Sequence, residues 1–167
     1  MLLKKLSEVP KNKMYVQFIK SPQKRKILEK LNNQFGIQSL PHLLIKSGKE
    51  KIRAFSGHLS KEEIKTLSYL TNIEIIGLYI LKEENNEFRL TIDATHLLKQ
   101  QISKNIIEIN EQQLQDWLKG NNLDINASEG VKIIKNNEDF IGSGKSNGQK
   151  LFNYIPKDRR LKGSSIF

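Results

Sequence analysis

Apolar positions along this chain fall into short clusters whose spacing predicts an alternation of strands and helices. Met14-Tyr15-Val16-Gln17-Phe18-Ile19 predicts a strand. Ser21-Pro22, as N-cap and first helical residue, opens a helix over roughly 22 to 34, with Ile27, Leu28 and Leu31 as its buried stripe and Gly36 at its end. His42 to Lys46 and Lys51 to Phe55, joined by Ser47-Gly48-Lys49, predict a hairpin. Ser60 and Glu63 form a capping box ahead of a helix with Ile64, Leu67 and Leu70 on its apolar face. The β-branched run Ile73 to Leu81 predicts a largely buried strand, Glu83-Glu84-Asn85-Asn86 a turn, Phe88 to Ile92 the next strand, and Asp93 the cap of a short helix carrying Leu97 and Leu98.

From about residue 104 the pattern becomes shorter. Strands are predicted at Ile106 to Ile109 and near 131 to 135, 139 to 144 and 150 to 155, with a helix at Glu111 to Lys119 closed by Gly120 and a brief extended piece at Leu123 to Ile125. The expectation is an α+β protein of two packed units, 1–95 an α/β domain and 96–167 a small, mostly β domain, with the boundary near 95 to 104. Trp117 shares a helical face with Leu114 and Leu118, which predicts core packing. Phe140 and Phe152 are expected in the core, whereas Tyr154 suits either core or an exposed stacking platform.

Composition adds a bias toward polyanions. The 167 residues carry a formal net charge of +10 with 37% hydrophobic content, and from Phe140 onward six Lys or Arg face the single acid Asp158. Such a field favours phosphate backbones, with nucleic acid ahead of an anionic membrane. No run approaches the length of a membrane span, and Met-Leu-Leu-Lys-Lys at the start lacks a signal-peptide core, so a soluble cytoplasmic protein is expected. The basic residues Lys24, Arg25, Lys26 and Lys30 give the first helix a charged outer face, more simply explained by solvation than by RNA contact.

Several chemistries are disfavoured. Without cysteine there is no thiolate zinc site and no cysteine nucleophile, and His42, His58 and His96 have no metal-binding spacing. Gly142-Ser143-Gly144-Lys145-Ser146 has the tail of a phosphate-binding loop. Its first glycine is replaced by Asp139, however, and Asn147-Gly148 turns the chain where a helix should begin. No carboxylate pair suggests acid-base work and no GxGxG suggests a methyl-donor site. The expectation is therefore a protein that is not an enzyme, with no catalytic residue, metal or cofactor. The basic tail is the stronger signal: Lys157, Arg159, Arg160 and Lys162 follow Pro156 on a segment poor in apolar residues, and Lys145 and Lys150 extend the patch.

In the order Ile106-Ile107-Glu108-Ile109, Trp117-Leu118-Lys119-Gly120-Asn121-Asn122-Leu123, Gly130 to Lys135 and Phe140-Ile141-Gly142-Ser143-Gly144-Lys145, the second half resembles a PUA RNA-binding domain. The block Asn153-Tyr154-Ile155-Pro156-Lys157-Asp158-Arg159-Arg160 resembles the end of the PUA-like domain of Sun-type and RsmF-type rRNA cytosine-5 methyltransferases and of stand-alone archaeal relatives. Gly77-Leu78-Tyr79-Ile80 and Glu87 to Ile92 resemble the pre-PUA domain of the Nip family of ribosome-biogenesis factors. The resemblance implies a pre-PUA-like domain followed by a PUA-like pseudo-barrel that binds structured RNA. Ribosomal RNA or its precursor is the preferred partner, in ribosome biogenesis or RNA modification, alongside a methyltransferase or an assembly protein. A tRNA-binding accessory protein and a module docking on an acidic protein are the alternatives. On this reading Lys145, Lys150, Lys157, Arg159, Arg160 and Lys162 neutralise phosphates, and Tyr154 and Asn153 stack or hydrogen-bond to bases.

Overall fold

The computed structural model describes residues 16–163. The predicted strand positions Met14 and Tyr15 and the Met-Leu-Leu-Lys-Lys start of the chain lie outside them. The order is β1 Gln17–Phe18, α1 Ser21–Phe35, β2 Leu43–Ser47, β3 Lys51–Phe55, α2 Lys61–Leu70, β4 Leu78–Glu84, β5 Glu87–Leu90, α3 Ile92–Leu97, β6 Ile106–Glu108, α4 Glu111–Leu118, β7 Gly130–Asn136, β8 Asp139–Ser146 and β9 Leu151–Asn153, followed by a 3-10 turn Lys157–Arg159.

The first five strands form one sheet in sequence order, antiparallel throughout, so the N-terminal half is built as a meander rather than from parallel crossovers. The other four form a second sheet in sequence order, with β6 parallel to β7 and the rest antiparallel. No pairing joins β6 to β9 among the described residues; an isolated bridge between Leu123 and Leu151 extends the sheet beyond β9.

Local signals account for most of these elements. Gly36, with φ 84°, ends α1 by donating to the Asn32 carbonyl. Ser60 and Glu63 cap α2 reciprocally, and Asn110 with Gln113 does the same for α4. Asn85 and Asn86, both at positive φ, make the two-residue turn between β4 and β5.

Five expectations are corrected. Ser21 is the first helical residue of α1 rather than its cap, and the Lys20 N–H is instead satisfied by the Gln23 side chain. The strand expected from Ile73 begins only at Leu78, because Gly77 at φ 74° lies against the β3 backbone. Thr91, not Asp93, caps α3, accepting from the Ala94 N–H. Of the α2 stripe only Ile64 is buried, Leu67 and Leu70 being exposed, and Phe152 is exposed on β9 beside Lys145.

Two buried clusters hold the chain together. The larger gathers Leu31 and Phe35 of α1 and Leu44, Ile52, Ile80, Leu81, Phe88 and Leu90 of the first sheet, with Val131, Ile133 and Phe140 of the second. The smaller lies on the opposite face of the second sheet, where Trp117 of α4 packs with Ile109, Ile134, Leu151 and Ile155. Strand β7 thus buries Ile133 on one side and Ile134 on the other.

Candidate nucleic-acid interface

After β9 the chain is fastened at several points. Asn153 makes its side-chain amide part of the fold: Nδ2 donates to the carbonyls of Trp117 (2.7 Å) and Asn121 (3.0 Å), and Oδ1 accepts from the Ile155 N–H (2.7 Å). Its hydrogen-bonding groups are engaged at the β9 exit, not offered to a base edge. Arg160 folds back so that Nε donates to the Ile155 carbonyl at 3.0 Å, and its side chain lies against Gly120, where φ of 91° and the missing Cβ make room for it. The Leu161 N–H donates to the Leu118 carbonyl, tying the tail to the end of α4.

Two of the expected phosphate ligands reach into the N-terminal half. The Arg159 guanidinium clasps the Asp93 carboxylate in a fork, Nη1 to Oδ1 at 2.9 Å and Nη2 to Oδ2 at 2.8 Å, which raises its pKa further above the usual arginine value. Lys145 Nζ lies 3.2 Å from Glu87, whose other oxygen accepts the Val131 N–H. Lys150 sits 3.5 Å from Asp124, a loose pair at the surface. Lys157 and Lys162 are exposed and have no ion pair among the described residues.

Tyr154 is half-buried, and the Arg89 guanidinium stacks on its ring with Cζ 3.9 Å from the centroid, while Nη2 donates to the Tyr154 carbonyl at 3.2 Å. Arg89 leads to a set of residues that the sequence reading passed over. Across three neighbouring strands Lys51 pairs with Lys82 and Lys82 with Arg89, and Arg53 pairs with Tyr79. Tyr79 and Lys82 are three apart and would point to opposite faces of a regular strand. The register shift between Ile52 and Arg53 leaves Ile80 without an opposite number on β3, and this bulge turns both side chains to the same outer face.

The outer face and the tail enclose a cleft of ≈ 630 Å³, whose lining includes Lys51, Arg53, Tyr79, Lys82, Tyr154 and Arg159. Its cations are not equally available. Lys82 is held by Glu50 (3.2 Å) and Glu84 (3.4 Å), hydrogen bonds that raise its pKa, whereas Lys51 and Arg53 have no carboxylate partner among the described residues. Burial, only partly opposed by neighbouring cations, pushes the Tyr79 phenol up, so the ring enters the cleft un-ionised. A cationic hollow with two tyrosines on its walls has the chemistry of a nucleic-acid surface: charge for the backbone, ring faces for bases.

The sequence signal for Lys51, Arg53 and Arg89 was the alternation of β3 and β5, which sends Ile52, Ala54, Phe88 and Leu90 to the core and the basic residues outward. For Tyr79 and Lys82 there was none, since a bulge leaves no local mark. No curated protein matches the chain. Residues 104–161, roughly a third of the chain, match the family model described as the Methyltransferase RsmF PUA domain, and this segment, with its β6 to β9 sheet and the tail that closes the cleft, is a PUA-like domain of the RsmF and Sun type.

Proposed function

We propose that this protein binds structured RNA without catalysing a reaction, with ribosomal RNA or its precursor as the target, in ribosome biogenesis or rRNA modification. PUA domains are generally RNA-binding, which supports an RNA partner. The observation that carries the reading is the cleft: Lys51, Arg53, Lys82 and Arg89 of the first sheet and Arg159 of the PUA-like segment's tail line one hollow. Lys157 and Lys162, exposed on the same tail segment as Arg159, add positive charge over which a duplex backbone can lie. Phosphate contacts of this kind position an RNA more than they read it, so specificity for a helical region rests on shape.

Ultraviolet crosslinking of the tagged protein in cells, followed by sequencing of the attached RNA, tests the proposal. Reads concentrated in rRNA or its precursor are expected. Enrichment of tRNA would redirect the function to an accessory of tRNA modification. No enrichment over an untagged control, together with salt-sensitive capture of an acidic protein after nuclease treatment, would replace RNA binding by protein docking.

A further inference from the structure

The cleft has features that a general positive field does not require. Its sheet wall presents Lys51 and Arg53, which have no carboxylate partner among the described residues, beside a ring: Lys51 Nζ lies 5.4 Å and Arg53 Cζ 5.9 Å from the Tyr79 centroid. Arg53 is held in that position by donating through Nη1 to the Gly77 carbonyl at 2.8 Å, so its guanidinium is fixed before any ligand arrives. The Tyr79 hydroxyl makes no hydrogen bond among the described residues. Tyr154 of the tail, with Arg89 of β5 stacked on its ring, supplies a second flat surface.

Size decides what can enter. A hollow of ≈ 630 Å³ falls in the range that encloses a small organic group. A paired A-form helix is far too wide and can only lie across its mouth, whereas a nucleotide swung out of a helix fits. Such a nucleotide brings a π-face for the tyrosine and negative charge for Lys51 and Arg53, which the lining carboxylates Asp93 and Asp158 do not pair.

We infer that the cleft takes one unpaired nucleotide of the bound RNA, its base against the Tyr79 ring and its flanking phosphates at Lys51 and Arg53. The inference rests on the RNA-binding reading above and adds a preference for helices interrupted by a bulge. The base stacks on the un-ionised phenol ring, and the fixed Arg53 fork meets a phosphate in a geometry already set.

Fluorescence anisotropy on the full chain, with one RNA hairpin prepared fully paired and with a single bulged adenosine, tests it. The bulged hairpin should bind about tenfold more tightly, the scale of one base stacked on an aromatic ring. Tyr79→Leu should weaken the bulged hairpin about tenfold more than the paired one and so erase that advantage, and Tyr79→Phe should keep it. Replacing Lys51 and Arg53 together by Gln should flatten the salt dependence for the bulged hairpin by about 1.4 in the log–log slope, two single-strand phosphates. Equal affinity of the unaltered protein for the two hairpins would overturn the inference and leave RNA binding standing, as would a bulge advantage that survives Tyr79→Leu. Failure to bind either hairpin at low salt would overturn both.

Discussion

The pairing of Arg159 with Asp93 makes a prediction that residue counting would get wrong. Counted from the sequence, Arg159 and Arg160 supply two phosphate contacts, and changing both to Ala should remove up to about two phosphate equivalents from the salt slope. In the structure the Arg159 fork is closed on a carboxylate at 2.8 and 2.9 Å, so its charge is already balanced and RNA must open or share the pair. Side-chain exposures of 47% and 36% put the pair at the surface, where even good geometry is worth up to about 1 kcal/mol. Asp93→Asn releases the guanidinium. It should cost about 1 kcal/mol of stability, lowering Tm by about 2 to 4 °C for a protein of this size, and should tighten RNA binding about fivefold, the same free energy no longer needed to open the pair. The slope of log K against log salt should steepen by up to about 0.9. Titrations of structured RNA between low and physiological salt, with thermal melts beside them, on Asp93→Asn, Arg159→Ala, Arg160→Ala and the double variant of the ion pair, measure all of this. Arg159→Ala should lose more slope when combined with Asp93→Asn than when made alone. An Asp93→Asn slope indistinguishable from the parent's would show that the cleft rim does not face the RNA and would refute the reasoning.

Three further outcomes follow from the packing. Gly144→Ala would set a Cβ 2.6 Å from Trp117 Cη2 and 2.7 Å from the Phe152 carbonyl oxygen, one a wedged core ring and the other backbone, so thermal unfolding should show a loss of about 1 to 3 kcal/mol or more. Asn153→Ala strips partners from the Trp117 and Asn121 carbonyls and the Ile155 N–H, and should cost about 1 to 3 kcal/mol in chemical denaturation while changing the salt slope of RNA binding little. Lys132 is buried, its ammonium donating to Asn105 Oδ1 (2.9 Å) and Ser128 Oγ (2.8 Å), and burial lowers its pKa from 10.5 despite the favourable charge of Glu87. The unfolded chain therefore holds the proton more tightly, so this residue's contribution to stability rises as pH climbs from the folded pKa toward 10.5. Denaturation curves of Lys132→Met should lack that rise when subtracted from the parent's, and parallel curves over the whole range would contradict the assignment.

What could be read along the chain was whatever local residues decide. The hairpin of β2 and β3, the Ser60 and Glu63 box and the α4 face with Trp117 each depend on side chains within a few positions of one another, and all three are found where the pattern put them. Other features are set at a distance. Ile73, Ile75 and Ile76 have the composition of a strand, but the Gly77 backbone meets the Ala54 carbonyl so closely that pairing begins only afterwards. Thr91 displaces Asp93 as the cap of α3, and Asp93 finds its partner 66 residues away. The basic tail was legible as charge, yet its cations divide into clasps and free groups only once Asp93, Glu87 and Gly120 are in place. The cleft was illegible because one of its walls depends on a bulge and the other on a segment far along the chain.

The larger buried cluster joins Phe88 and Leu90 to Val131, Ile133 and Phe140, so the second sheet completes the core of the first. In terms of modularity, the PUA-like unit recognised at 104–161 is not a portable cassette in this chain. Cut out at those limits it would carry a greasy scar along β7 and β8, and transplanted to another protein it would need a host surface shaped to cover that scar. The arrangement also means that the cleft cannot be inherited piecemeal. Its sheet wall is backed by the larger cluster and its tail wall by the smaller, joined through β7, so any lineage that keeps the tail must also keep a sheet for it to close against.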